Sequence, residues 1–326
     1  MKFIMKNKIN LTGCALSGLV FMQMLTVACS KPGFNSANLE KSILPVSIVN
    51  GQLVKEDNLQ PAEIANPVVA IVNIDSTGAE SMCTGTLIAP KIVLTAAHCV
   101  EGETKDSKIY IFFQTLDEKK LTKGNVFLAK KIVIHPNYIQ AKENKKADQA
   151  DDLALILLPF SAPESVQPAT LATPDINLAS LGTLTDVGFG QADDRANATD
   201  KQAGIMRYLE YSSQNMTTYQ GDGFFKGMII AEATQAAFCH GDSGGPLFAG
   251  SLNSSNKVIV GIVDMVFPLY SGQQKIDYEE AMKSADMKSF YQKYPDAHIC
   301  LGLNVFVEVS SHLDWINQNA KSLASN

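Results

Sequence analysis

Gly241-Asp242-Ser243-Gly244-Gly245-Pro246 is the stretch on which the reading of this 326-residue chain turns. A serine acts as a nucleophile where a tight turn exposes its hydroxyl and nearby backbone N–H groups face the oxyanion that forms on attack. Glycines at 241, 244 and 245 permit such a path because they lack a Cβ. A Gly-rich bend with one serine is also a common structural turn, so the hexapeptide needs partners elsewhere in the chain.

Two further stretches supply them. Leu94-Thr95-Ala96-Ala97-His98-Cys99 offers an imidazole, which titrates near neutrality and suits the base that a serine hydroxyl requires. Asp152-Leu153-Ala154-Leu155 opens an apolar strand with an acid able to accept from the second ring nitrogen and hold the tautomer. Each is weak alone, since a histidine beside a cysteine and an acid before a strand are ordinary scaffold chemistry.

Together the three resemble the chymotrypsin/trypsin-like serine protease family. Its motifs are Thr-Ala-Ala-His-Cys, Asp-aliphatic-Ala-Leu and Gly-Asp-Ser-Gly-Gly-Pro, and they stand here in the family's order of His, Asp and Ser. That order separates the chain from subtilisin-like enzymes and α/β-hydrolases. The resemblance implies Ser243 as nucleophile, His98 as general base and Asp152 as its orienting acid, with the N–H groups of Gly241 and Ser243 forming the oxyanion hole. It implies a protein or peptide substrate and neither cofactor nor metal. The other reading is a catalytically silent homologue that binds a protein partner through a remodelled cleft.

The resemblance runs from Ile48 to about Ala320. Ile48-Val49-Asn50-Gly51 is similar to the family's activated N-terminus, freed by cleavage of Ser47-Ile48 so that its amine pairs with the acid before the nucleophile, here Asp242. A buried ammonium is tolerated only when paired, so the pair works as a switch. Serine before that bond is not the basic residue usual in trypsin-activated zymogens, which implies another activating protease or self-activation. Val187-Gly188-Phe189-Gly190 resembles the family's Gly-Trp-Gly element, and Ile134-His135-Pro136-Asn137-Tyr138 a segment preceding the acid, making His135 a scaffold residue.

Departures from the family bear on specificity. Ala237 stands where an aspartate would select Lys or Arg. Phe238 follows it, and Val266 and Asn304 replace two wall glycines, so the resemblance implies a shallow, uncharged, non-tryptic pocket for small residues. Asp264 replaces a serine that bonds the triad acid. Either it turns away, or it shares a proton with Asp152, or it impairs the site, because like charges held close raise one pKa. The segment 267–300 is a long insertion that could roof the pocket.

Net charge is −6 with no basic run, so nothing marks a nucleic-acid partner. Lys2, Lys6 and Lys8 precede an apolar stretch, Leu11 to Ala28, which is the layout of an export signal, a membrane-spanning helix being the alternative. Leu25-Thr26-Val27-Ala28-Cys29 resembles a bacterial lipobox, which would lipidate Cys29 and make a membrane contact through that anchor alone; ordinary signal cleavage is the other reading. Residues 1–29 are thus read as signal and 30–47 as linker or propeptide. The expected location is the cell envelope or outside the cell, and the expected state is a monomer.

Of six cysteines, Cys14 leaves with the signal and Cys29 is the lipidation candidate. Cys83, Cys99, Cys239 and Cys300 remain, and arithmetic alone leaves three pairings open. The resemblance implies Cys83 with Cys99 and Cys239 with Cys300.

Short β-branched and aromatic runs alternate with turn signals from Val68 to Val309, which argues for an all-β fold. The resemblance makes this two antiparallel six-stranded β-barrels within a peptidase domain of 48–322. The barrels would cover about 48–165 and 175–310, with a short C-terminal helix near 311–320 that Ser311 would cap. Residues 142–152 read as a charged surface loop. Residues 277–293 have helical spacing, with Ala281, Met282, Ala285, Met287 and Phe290 toward one side.

Overall fold

Seven residues with six apolar side chains, Val68–Ile74, form the strand β2, and its alternation sets the architecture. In the computed structural model, which describes residues 48–49, 51–54, 65–101, 107–113, 116, 121–138, 151–191, 206–219, 227–255 and 257–325, Val69 and Ile71 enter one core. Val68, Ala70, Val72 and Ile74 enter another. A strand's period of two produces this division, and β4 (Ile92–Thr95), β5 (Lys108–Phe113) and β8 (Ala154–Leu157) repeat it. One face fills the first barrel. The other packs against Val187, Phe189, Phe248 and Val307 of the second, so the two halves share a core. Each fully buried Leu or Phe there contributes roughly 1.5–3 kcal/mol.

The first sheet runs β6-β5-β2-β3-β4-β8-β7, with β3 at Glu80–Ala89, β6 at Val126–Leu128 and β7 at Lys131–Ile134. Its two edges are consecutive in the chain. Ala129 N–H donates to Ile109 O and Lys130 N–H to Leu157 O, both at 2.8 Å, so the chain changes partner between these residues and the sheet closes. With β6 and β7 taken as one bent strand, the barrel has its six.

The second sheet contains β10 (Thr183–Gly188), β11 (Arg207–Ser212), β12 (Met216–Tyr219), β13 (Met228–Ala233), β14 (Pro246–Ala249), β15 (Val258–Pro268) and β16 (Gly302–Glu308). Its order β11-β10-β14-β15-β16-β13-β12 again ends on neighbours, joined through the turn Ser213–Asn215. The two-residue strands β1 (Gln52–Leu53) and β9 (Thr170–Leu171) add to β11 and, in parallel, to β15.

The helical segment departs from expectation. It forms α1 (Gly272–Ser284) and α2 (Met287–Lys293), because Ala285 turns left-handed at φ 55° and the Asp286 side chain caps α2 through Ser289 N–H. Ala281 and Phe290 are buried as expected, but Met282 is exposed. The C-terminal helix α3 runs Leu313–Ala324, and its N-terminus is not capped by Ser311, whose hydroxyl donates to Glu308 O instead. Among the described residues no helix is long and apolar enough to cross a membrane. Residues 1–47, with Cys29, and nearly all of the loop 142–152 lie outside them.

Candidate active site

β4 is wholly buried and ends in a single 3-10 turn, Ala97–Cys99. Ala97 and Cys99 point inward, so His98 faces outward, and a disulfide from Cys83 on β3 to Cys99 fixes the turn. β8 pairs with β4 through Thr95 and Ala154, which puts Asp152 beside the turn. His98 N–H donates to Asp152 Oδ1 at 2.8 Å, and His98 Nδ1 lies 2.5 Å from Asp152 Oδ2. Burial pushes the Asp152 carboxyl up, but the His98 charge and hydrogen bonds, with one from Asp264, hold it below its ordinary value.

Asp264 has not turned away. It sits where the pairing of β15 with β16 slips, Val263 facing Phe306 and Met265 facing Val305, so it is the bulged residue between them. A bulge re-aims a side chain. This one brings His98, Asp152 and Asp264 atoms within 4.8 Å of one another. Burial and the Asp152 charge push Asp264 well above the carboxylate range, and its protonated oxygen donates to Asp152. Its Oδ2 has no partner.

The serine turn is held by a residue outside the three stretches that carry His98, Asp152 and Ser243. Thr84, fully buried on β3, donates its N–H to Ser243 O at 2.8 Å and its hydroxyl to Gly241 O at 2.8 Å. The same hydroxyl accepts from Phe189 N–H at 3.1 Å, and Thr84 O accepts from Thr95 Oγ1 at 2.8 Å. Ser243 O also lies 3.4 Å from Cys99 Sγ, beside His98. Only glycine fits at 244. Its φ is +79°, and an added Cβ would lie 2.0 Å from Thr95 Oγ1 and 2.5 Å from Thr84 O. Asp242, Gly244 and Gly245 N–H groups donate to the carbonyls of Cys239, Val263 and Asp242, whereas among the described residues those of Gly241 and Ser243 donate to none.

Asp242 is buried, with Gly190 N–H donating to Oδ1 at 2.6 Å and Cys239 N–H to Oδ2 at 2.8 Å. Burial still raises it to about 7. Ile48 is fully buried and Val49 forms an antiparallel bridge with Ala237. Ala237, Phe238 and Asn304 are likewise buried and Val266 is half-buried. Phe238 packs edge-on to Phe306 with centroids 5.2 Å apart. Asn304 Oδ1 accepts from the Tyr211 hydroxyl at 2.9 Å and Phe238 N–H at 3.3 Å. A Cys239–Cys300 disulfide ties the irregular segment before the serine to the end of the helical insertion.

His135 sits apart, in a cluster behind the acid. Its ring lies 4.7 Å from Trp315 of α3 and its Nδ1 3.5 Å from Asp151 Oδ1, which His312 Nε2 meets at 2.9 Å. As to metal, His98, Asp152 and Asp264 are close enough to share an ion but already bond one another, and the cysteines near His98 and His240 are closed in disulfides.

The Trypsin family model matches residues 57–283. CLIP domain-containing serine protease B9 of Anopheles gambiae is 25% identical over 73% of this chain and 56% of its own length. Granzyme M of Homo sapiens is 29% identical over 52% and 64%. The chain thus spans little more than half to two thirds of these two relatives. Trypsin-1 of Astacus astacus is 25% identical over 73% and 87%. Among solved structures, HL collagenase superposes with a TM-score of 0.57 at 20% identity, covering 84% of this chain and 99% of that one. An inactivated protease paralogue of the scabies mite gives 0.53 at 16% identity, covering 80% and 97%. The strand order and a family match over more than half of the sequence agree: the chain belongs to the trypsin family.

Proposed function

We propose that this protein is an exported serine endopeptidase that cleaves peptide bonds through an acyl-enzyme. The observation that carries the reading is the two-point grip of Asp152 on His98, through backbone N–H and Nδ1, beside the Ser243 turn. Held that way, the imidazole keeps its proton on Nδ1 and presents Nε2 as the base. Ser243 Oγ attacks the carbonyl carbon as its proton passes to Nε2. The oxyanion is stabilised by the unengaged N–H groups of Gly241 and Ser243, each such donor being worth ~3–4 kcal/mol. The imidazolium protonates the leaving amine, and water then releases the acyl group by the same steps.

Hydrolysis of Ser47-Ile48 is the activating event, and the freed Ile48 amine pairs with Asp242. The buried Ala237, Phe238 and Asn304 support a primary site that is shallow and uncharged, suited to Ala, Val or Ser. Serine at position 47 fits such a site, so the enzyme would activate itself. A leader with lipidated Cys29 would hold the zymogen to a membrane, and cleavage would release it.

Treatment of the activated protein with a serine-directed organophosphate tests the reading. Labelling at Ser243 that disappears in Ser243→Ala is expected; an unlabelled, folded, cleaved protein overturns it. In a peptide-library profile, preference for Lys or Arg before the cut would refute the pocket assignment.

A further inference from the structure

β10 and β11 pair so that Leu184, Asp186 and Gly188 share one face with Tyr211, Leu209 and Arg207. Asp242 reaches over this face, since a Cβ added to Gly188 would lie 2.1 Å from its Oδ1. Two buried carboxyls therefore meet inside the second barrel. Asp242 is served by two N–H groups. Asp186 is fully buried and neither oxygen has a hydrogen-bond partner. Burial and the Asp242 charge drive its carboxyl far above the usual range.

A buried carboxylate without a partner is costly unless it is neutral or meets a cation. The other titratable groups on this face are engaged elsewhere. Tyr211 donates its hydroxyl to Asn304, and Arg207 Nη1 donates to Gly51 O at 3.3 Å. That last contact matters, because Gly51 N–H bonds Ile48 O at 2.8 Å. The turn beginning at the buried Ile48 is thus attached to the same face, and the bridge from Val49 to Ala237 holds its other side.

We propose that Asp186 is the second carboxylate of an ammonium receptor, in which the Ile48 amine freed by cleavage sits between Asp242 and Asp186. This rests on the activation reading above. In the uncleaved chain Asp186 holds a proton. The freed amine docks as an ammonium, Asp186 releases its proton to solvent, and one ammonium then faces two carboxylates. The receptor is specific for a primary amine at a chain terminus, and it explains why a barrel interior tolerates a second acid.

The test uses the full chain with a site-specific protease sequence placed directly before Ile48, studied before and after cleavage. Asp186→Asn should raise the unfolding midpoint of the uncleaved protein and lower that of the cleaved one. It should also move the alkaline loss of activity in the cleaved protein down by ~1 pH unit, since the amine loses one counter-charge. A shift of the same sign in both forms, or failure of the uncleaved variant to fold, overturns the proposal. Asp242→Asn separates the two ideas. If it collapses the cleaved form while Asp186→Asn behaves as the parent, only the second carboxylate is refuted; if the alkaline midpoint ignores Asp242→Asn, the activation reading itself fails.

Discussion

Asp264 donates a hydrogen bond to Asp152 from a bulge on β15, so the acid behind His98 is one half of a buried carboxyl–carboxylate pair. The bond exists only while Asp264 keeps its proton. Its folded pKa lies above its unfolded value of about 3.9, so its contribution is complete below that pH and is lost as pH rises through the folded value.

Asp264→Asn keeps a donor but cannot ionise. It should hold kcat/KM within about threefold at neutral pH and abolish the part of the alkaline loss of stability that Asp264 causes. Asp264→Leu, which removes the donor, should cost about ten- to a hundredfold in kcat/KM, the equivalent of one hydrogen bond to a charged group. Denaturant unfolding and peptide hydrolysis, each followed from neutral to alkaline pH, check both; an Asn variant with the parent's alkaline profile would be inconsistent with a titrating Asp264.

Thr84 is the second test. Thr84→Val keeps the shape and the backbone bonds but removes the hydroxyl that joins Gly241 O and Phe189 N–H. Two buried backbone groups are then unpaired, at a cost of about 2–4 kcal/mol in unfolding free energy. Since Gly241 is a proposed oxyanion donor, the acylation rate should fall more than substrate affinity. Urea unfolding and single-turnover acylation measure the two effects.

The difference between Thr84 and the motif residues shows what a sequence can display. His98, Asp152 and Ser243 stand in contiguous stretches whose local chemistry is readable, and the apolar run Val68–Ile74 is readable as a strand for the same reason. Thr84 acts on Gly241 and Phe189, at 157 and 105 residues away, so only the packed barrels reveal it. Asp264 was visible as a misplaced acid, but its direction depends on a one-residue slip in pairing that no local pattern records. Asp186 lay hidden in an ordinary strand, where the one available signal was an acid in phase with the apolar Leu184. The helical insertion misled because a periodic apolar face does not show that Ala285 adopts a left-handed conformation.

The Cys239–Cys300 bridge spans 61 residues, including both helices of the insertion. Closing a loop of that length restricts the unfolded chain by about 4 kcal/mol on the chain-entropy model. Replacing both cysteines by alanine should lower stability by about that amount. It should also loosen the segment that carries Ala237, Phe238 and Asp242, so that substrate discrimination falls before hydrolysis does. Differential scanning calorimetry and the library profile of the double variant test this; an unchanged profile would show that the insertion does not shape the primary site.

His312 offers the last. Its Nε2 meets Asp151 Oδ1 at 2.9 Å and its Nδ1 meets Glu308 O at 2.8 Å, so both ring nitrogens face acceptors. Burial pushes the Asp151 carboxyl up, and the His312 hydrogen bond with the His135 and His312 charges overcomes it, leaving the net value lowered. A depressed folded pKa contributes stability above the unfolded value of about 3.9 and loses it as pH falls through the folded one. His312→Phe removes the main depressing contact. The acid limb of the stability curve should therefore move to higher pH, and neutral-pH stability should fall by about 1–3 kcal/mol as Asp151 loses its nearest hydrogen-bond partner. Because Asp151 adjoins Asp152, the variant's activity should decline over the same acid range. Unfolding followed by circular dichroism across acid pH decides it: an acid limb that stays where it was would mean that the cluster behind His98 is packing alone.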